Sequence, residues 1–264
     1  MNRNYIEIPT LRELPGPVYF RYDEFGADTH AIPHRHQWGQ LNFTARGVMQ
    51  LEIDGRPFIS PPNYAVWIPP NALHSCYNRE SVVYRSVYIG LEHCQSLPDR
   101  PCAVSMSNVL KAILNDFAER DVTTPVSKTD LNLAQVLLDQ LYLAPREADY
   151  LPYGSSPKVN QILEELRHNP GDNRPLASWA QQVFVSERTL ARHFMQELGM
   201  SFGEWRQRLR FLAAIEALEQ GRSVKELAFD MGYSSGSAFI TMFQRQAGCT
   251  PEQYRRQQTF QAPL

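Results

Sequence analysis

No stretch of this 264-residue sequence approaches the roughly 18 consecutive apolar residues that cross a bilayer, so no membrane helix is expected. The opening residues, MNRNYIEIPTLRELPG, lack the apolar core of a secretory signal, and the expected location is cytoplasmic. Cysteine is scarce. Cys76, Cys94, Cys102 and Cys249 stand at irregular spacings with no Cys-x-x-Cys pair, which points to free thiols rather than a disulfide frame or cysteine zinc site. No Ser-His-Asp set and no glycine-rich phosphate loop is recognisable, which argues against the commonest hydrolase and nucleotide-binding classes. What is present is ordinary for a globular protein: 43% hydrophobic residues, 19 Pro and 14 Gly, in a length that suits two domains.

The net charge of −2 hides an asymmetry. Residues 1–156 carry 13 Lys/Arg against 17 Asp/Glu, a net of −4, whereas residues 157–264 carry 13 against 11, a net of +2. A mildly basic C-terminal half suits phosphate contact and an acidic N-terminal half does not, although an excess of two decides nothing alone.

Between Val18 and Tyr88 the sequence reads as short strands. Leu51-Glu-Ile53 and Arg56-Pro-Phe-Ile59 flank Asp54-Gly55, a two-residue hairpin turn whose central positions both tolerate φ > 0. Val82–Tyr88 is β-branched and aromatic without helical period, and prolines mark the corners, so an antiparallel barrel or sandwich is expected. Helical spacing follows over Ser107–Arg120 and Asp130–Leu143. The second is apolar around much of its circumference and must bury more than one face, against the barrel and its partner helix, in a dimer seam, or both. The expected domains are 1–103 (barrel), 104–144 (a helical pair serving dimerisation), 145–157 (a Pro-, Gly- and Ser-containing linker) and 158–264 (all helical).

The C-terminal part holds one pattern twice. Leu176–Ala180, a turn and Ser186–Phe194 are echoed by Val224–Ala228, a turn with Gly232 and Ser235–Phe243. Each copy is a short helix with an Ala where helices cross, a tight turn, a Ser cap and a second helix with an apolar i,i+4 pair: Leu190 with Phe194, and Phe239 with Phe243. That is a helix-turn-helix, and a long helix carrying Trp205, Leu209 and Leu212 joins the two. Ser201-Phe-Gly-Glu204, Ser223-Val-Lys-Glu226 and Thr250-Pro-Glu-Gln253 read as capping boxes. With the terminal Gly248-Cys-Thr-Pro-Glu-Gln-Tyr-Arg255, residues 157–256 resemble the DNA-binding domain of the AraC/XylS transcription regulators. The resemblance implies that one chain places two recognition helices in successive major-groove segments, about 34 Å apart.

Base readout is expected from Glu187, Arg188, Ala191 and Arg192 on the first recognition helix. Arg188 and Arg192 share a face, and arginine reads guanine bidentately. The second helix offers Gly236, Ser237, Ile240 and Thr241, which are too short for far-reaching base bonds and suit backbone positioning and methyl contacts. Arg206, Arg208, Arg210, Arg245 and Arg255 are candidate phosphate contacts. Phe184 stands in the first turn where the family often has Gly and, with a weakly capped start at Pro175, leads us to expect a different backbone there.

In the N-terminal half, His34-Arg-His36 sends two imidazoles to one face of a strand. With Gln40 and, after a Pro-Pro turn, His74, this resembles the cupin barrel, Gln40 standing where cupins usually carry Glu and Asn71 where they carry Gly. The resemblance implies two alternatives: a transition-metal site formed by His34, His36, Gln40 and His74, or a polar pocket, flanked by Trp38 and Trp67, that holds a small effector. No cofactor is expected to be required, the transition metal in the barrel being the one candidate. Residues Tyr5–Pro17 are a candidate arm across the pocket or a partner.

The expected fold is α+β with two domains: an antiparallel cupin-like barrel with two following helices, then an all-α double helix-turn-helix domain. The expected function is an effector-responsive DNA-binding regulator rather than an enzyme. Its expected partners are double-stranded promoter DNA, a small-molecule effector, a second copy of the chain and RNA polymerase, with no membrane. The alternative is a cupin-type metalloenzyme with a helical accessory, which Gln40 in the acid position disfavours.

Overall fold

The computed structural model describes residues 4–8 and 11–259, and the chain divides into two compact units, Met1–Tyr150 and Leu151–Leu264. The first unit holds β1 (Asn4–Tyr5), β2 (Val18–Phe25), β3 (Thr29–His34), β4 (Gly39–Arg46), β5 (Met49–Ile53), β6 (Arg56–Ser60), β7 (Tyr64–Ile68), β8 (His74–Asn78), β9 (Val82–Ile89), α1 (Leu91–Cys94), β10 (Cys102–Ser105), α2 (Asn108–Glu119), α3 (Lys128–Leu143) and β11 (Arg146–Glu147). The strands form two sheets, ordered β1-β3-β8-β5-β6 and β11-β10-β7-β4-β9-β2. All pairs are antiparallel except β1 with β3. The β5–β6 hairpin turns on Asp54 (φ 48°) and Gly55 (φ 76°), as the sequence pattern requires.

The parity of side chains in the second sheet organises this unit. Leu41, Trp67 and Val87 are cross-strand partners and share one face. That face packs with Val18, Phe20 and Phe43 against Leu110, Leu114 and Phe117 of α2 and Leu137, Leu138 and Leu141 of α3. The other face turns toward the first sheet. It carries Gln40, Asn42, Thr44, Tyr84 and Tyr88, and with Met49, Leu51, Ile53 and Phe58 it closes a second core. Helix α3 buries Ala134, Leu137, Leu138 and Leu141 on one face. Leu131, at the edge of that face, and Val136, on the opposite side, remain exposed.

The second unit holds α4 (Pro157–His168), α5 (Leu176–Gln182), α6 (Glu187–Leu198), α7 (Phe202–Glu219), α8 (Val224–Asp230), α9 (Gly236–Ala247) and α10 (Pro251–Thr259). Side chains of Ser156, Ser186, Ser201, Ser223 and Ser235 cap their helices, whereas α5 starts on Pro175 without a side-chain cap. The box at Ser223 is reciprocal, and Thr250 and Gln253 exchange two bonds in the same manner. At Ser201 the cap is one-sided, because the Glu204 carboxylate accepts from Arg208 (2.9 Å). The 145–157 segment is tied at both ends. Arg146–Glu147 pairs with β10 and Tyr150 packs on Tyr64 in the first unit; in the second, Pro152 accepts from the Trp205 indole (3.0 Å) and Glu197 accepts from the backbone of Ser155 and Ser156.

The first helix-turn-helix turn corrects an expectation. Phe184 has φ 57°, close to the 76° of Gly232 in the second turn. In the first turn, Phe184 N–H donates to Gln181 and Val185 N–H to Ala180. In the second, Gly232 N–H donates to Phe229 and Tyr233 N–H to Ala228. The backbone is therefore the same, and Phe184 adopts a glycine conformation with its ring 91% exposed.

Arg210 of α7 fixes the two helix-turn-helix units to one another. Its side chain is 5% exposed and donates to the carbonyls of Pro170 and Asp172 (both 2.9 Å) and to Asn173 Oδ1 (2.8 Å), in the loop that leads into α5. Asn173 in turn donates to the Gly232 carbonyl (2.6 Å) in the α8–α9 turn. The loops meet backbone to backbone, since a Cβ on Gly171 would lie 2.1 Å from the Asp230 carbonyl oxygen. Arg210→Met removes three hydrogen bonds to half-buried or exposed acceptors and is expected to lower the stability of this unit by about 1–2 kcal/mol in denaturant unfolding; an unchanged midpoint removes the brace. Phe184→Gly relieves left-handed strain of about 1–2 kcal/mol, partly offset by the greater freedom of glycine in the unfolded chain. A thermal midpoint raised by a few degrees is expected, and a lowered one contradicts the strain.

Candidate functional site

On α6, Leu190 and Phe194 are buried and hold the helix to the domain, leaving Glu187, Arg188 and Arg192 exposed and Ala191 half-buried. Most arginines of this unit are engaged: Arg174 with Glu165 and Asp172, Arg208 with Glu204, Arg222 with Asp230, Arg255 with Glu252. Arg188 and Arg192 have no hydrogen bond or ion pair among the described residues. Their donors sit one helical turn apart on one exposed face.

The corresponding surface of α9 is short. Ser237 and Thr241 are exposed, Gly236 and Ile240 half-buried, and the Thr241 hydroxyl donates to the Ser237 carbonyl (2.9 Å) within its own helix. Arg245 is exposed. Arg206 is half-buried, lies over the Phe202 ring and donates to the Arg174 carbonyl (2.9 Å). Arg208 and Arg210 depart from expectation: both are 5% exposed and bound within the domain, so they are structural cations rather than phosphate contacts.

In the first unit, β3, β4, β8 and the turn after β3 bring His34, His36, Gln40 and His74 together. One ring nitrogen from each histidine lies within 4.8 Å of the others. His34 and His74 line an enclosed cavity of about 20 Å³ together with Arg21, Gln40, Tyr84 and Tyr88. His34, His36, Trp38 and Tyr88 line a more open one of about 250 Å³ outside it. The Trp38 indole stacks on His36 (4.9 Å, 7°). The expected arm is described except at residues 9 and 10, and it borders both cavities. Tyr5 lies against His30, Ile6 N–H donates to the His30 carbonyl, Ile6 and Ile8 reach the inner cavity, and Ile8, Leu11 and Arg12 reach the outer one.

Each imidazole is oriented by main chain. Nδ1 of His34, His36 and His74 lies 2.9 Å from the carbonyl oxygens of Ile32, Trp38 and Ala72 respectively. A carbonyl only accepts, so every Nδ1 carries the proton and every Nε2 presents a lone pair. His74 Nε2 is buried without a partner. His36 Nε2 faces Gln40 Oε1 at 2.9 Å, and Gln40 Nε2 donates to the Tyr84 hydroxyl (3.2 Å). Burial lowers the pKa of His34 and His36 and takes His74 down to about 3, with the carbonyl bonds opposing it only partly. Three neutral imidazoles and an amide oxygen suit zinc, iron, nickel or copper, so the residues fit a transition metal.

Trp67 does not belong here. It is one residue out of phase with Val66 and Ile68, so its ring enters the core under the helices, where its indole donates to the Pro98 carbonyl (2.8 Å). Sequence reasoning missed Arg21, Tyr84, Asn42 and Cys76, which all line the inner cavity. The available signal was strand parity: Arg21 alternates with the core residues Val18, Phe20 and Tyr22, and therefore faces inward.

The unfolded chain takes up protons on these histidines near pH 6.5, while folded His74 does so only near 3. Its contribution to stability is fully present above pH 6.5 and is lost as pH falls toward 3. Each such histidine adds a slope of up to about 1.4 kcal/mol per pH unit. Thermal midpoints measured from pH 7 to pH 4 should fall accordingly, and a flat profile would mean that the imidazoles are not desolvated.

Comparison with known proteins agrees with both halves of this geometry. The family model described as a helix-turn-helix domain matches residues 179–257, and the one described as an AraC-like ligand binding domain matches residues 17–116. The HTH-type transcriptional regulator NimR of Escherichia coli K12 is 32% identical over 240 residues, covering 90% of this chain and 87% of NimR. The regulator RipA of Corynebacterium glutamicum is 32% identical over 103 residues, 39% of this chain and 31% of RipA. Among solved structures, ToxT from Vibrio cholerae O395 aligns at 13% identity over 90% of this chain and 95% of ToxT, with a TM-score of 0.38. These relatives are transcription regulators and not cupin enzymes, and no helix among the described residues is long and apolar enough to cross a membrane. With matched ligand-binding and helix-turn-helix domains, and a relative aligned along nine-tenths of its length, the chain belongs to the AraC family of DNA-binding transcription regulators.

Proposed function

We propose that this regulator reads its operator chiefly through Arg188 and Arg192, and that a small molecule in the N-terminal pocket modulates promoter binding. The observation that carries the first part is the pair of unpartnered guanidinium groups on the outer face of α6, in a unit where most other arginines are engaged. Glu187 and Ala191 border them. Helix α9 then serves to position the domain, with Ser237 and Thr241 offering short groups, Gly236 and Ile240 close approach, and Arg206 and Arg245 phosphate contact.

The pocket reading rests on His34, His36, Gln40, His74 and Trp38 lining one pair of adjoining cavities, under an N-terminal segment positioned to respond to an occupant. Helix α3, with Leu131 and Val136 exposed, is the proposed seam of a homodimer. The working partners are promoter DNA, RNA polymerase and the effector, in the cytoplasm. DNA binding itself requires no cofactor and the chain performs no catalysis. No carboxylate lines either cavity among the described residues, and Gln40 stands where cupin enzymes usually carry Glu.

Arg188→Ala and Arg192→Ala are each expected to weaken operator binding by about 1–3 kcal/mol and to relax preference at one or two base pairs, with the thermal midpoint unchanged. Gel retardation combined with selection from random DNA reads both effects. Equal affinity and preference in the double variant would sink the assignment of readout to α6.

A further inference from the structure

The two cavities of the sensor unit make opposite electrostatic demands. At the inner end, the main chain fixes all three histidine tautomers, so that Nε2 lone pairs converge, and Gln40 Oε1 adds an amide lone pair 2.9 Å from that of His36. The Gln40 amide and His36 Nε2 thus stand close enough to face one ion together. His74 Nε2 belongs to a side chain 4% exposed and has no other partner. An anion placed directly on these lone pairs would be repelled, so the inner end asks for a positive centre.

The outer end asks for the reverse. Arg12 and Arg35 line the open cavity, and neither has a hydrogen bond or ion pair among the described residues; Arg21 lines the inner one. No Asp or Glu lines either. Arg21 is already paired with Asp23, so a divalent ion held by four neutral ligands would retain its charge close to Arg12 and Arg35, which have no such partner among the described residues. Neither a metal alone nor an anion alone satisfies the whole pocket. We propose that the regulator senses a metal–anion pair: a divalent transition metal held by His34, His36, His74 and Gln40, whose open coordination face takes the anionic group of a small carboxylate-class effector entering past Arg12 and Arg35. This deepens the effector reading of the same pocket and rests on it.

The test uses the full-length protein with cobalt(II) as an optical probe and benzoate as the anion. Cobalt(II) should bind one to one with visible ligand-field bands. Benzoate should shift those bands and tighten cobalt binding between 5- and 150-fold, the usual range of coupling between sites. By reciprocity, cobalt should tighten benzoate by the same factor. Arg12→Glu with Arg35→Glu should keep cobalt and lose the benzoate effect. Gln40→Glu, which preserves shape, should tighten cobalt and diminish the coupling, because the new carboxylate supplies the charge that benzoate otherwise brings. No stoichiometric cobalt, or benzoate binding independent of cobalt, overturns the proposal; so does a coupling that Gln40→Glu leaves unchanged. Operator retardation on the same preparation is a separate readout. If it fails while cobalt and benzoate remain coupled, the regulator reading falls and the pocket chemistry stands; the converse result removes only the pocket chemistry.

Discussion

A β-strand has two faces and no third, and the sensor unit follows from how β4 divides them. Leu41 and Phe43 must meet the helices α2 and α3, because those helices carry apolar faces that need cover. Gln40, Asn42 and Thr44 are thereby committed to the space between the sheets, where each is under 5% exposed. Buried polar groups of this kind are tolerated only when bonded. Thr44 donates to carbonyls of Gly47 and Ser60, and Gln40 bridges His36 and Tyr84. The polar lining of the pocket is thus the reverse side of the packing that attaches the helices. A change in one face shifts the strand that presents the other.

The DNA-binding unit solves a different problem, which is to hold two recognition helices at a fixed separation on a small core. Apolar packing supplies adhesion: Phe194 meets Phe202, and Phe211 meets Phe243, which also meets Tyr254. Adhesion alone lets helices slide. The directional part comes from Arg210 and Asn173, whose hydrogen bonds define one relative position of the α4–α5 loop and the α8–α9 turn. A guanidinium suits this role because its planar fork fixes several acceptors together. The arginine-rich character of α7, which at first sight suggests a phosphate-binding surface, is in large part this internal bracing.

Much of this was legible in the sequence, for stated reasons. Helix boundaries were readable because serine caps and glycine stops are local signals, and Ser107, Ser186, Ser223 and Gly248 act where the pattern places them. The convergence of His34, His36, Gln40 and His74 was readable through strand alternation and a turn. Trp67 was misplaced because a run such as Ala65-Val-Trp-Ile68 is apolar on both faces, and composition does not say which face meets the helices. The burial of Arg208 and Arg210 was hidden for a related reason, since the acceptors they meet are side-chain or backbone groups that only the fold brings near. Phe184 misled in the opposite direction: an unusual residue suggested an unusual turn, but the hydrogen bonds around it outweigh the strain of one side chain.

The main-chain carbonyls behind the three imidazoles bear on how this pocket can change over generations. A carbonyl at position 32, 38 or 72 is present whatever side chain stands there. The inward direction of the three lone pairs is therefore protected from point substitution at the residues that enforce it. Position 40 has no such protection, because its own side chain is the donor atom. Among sequences that keep this backbone, the histidine geometry is the inherited part and the charge at position 40 is the adjustable part. One codon there is enough to exchange a neutral cage for an anionic one.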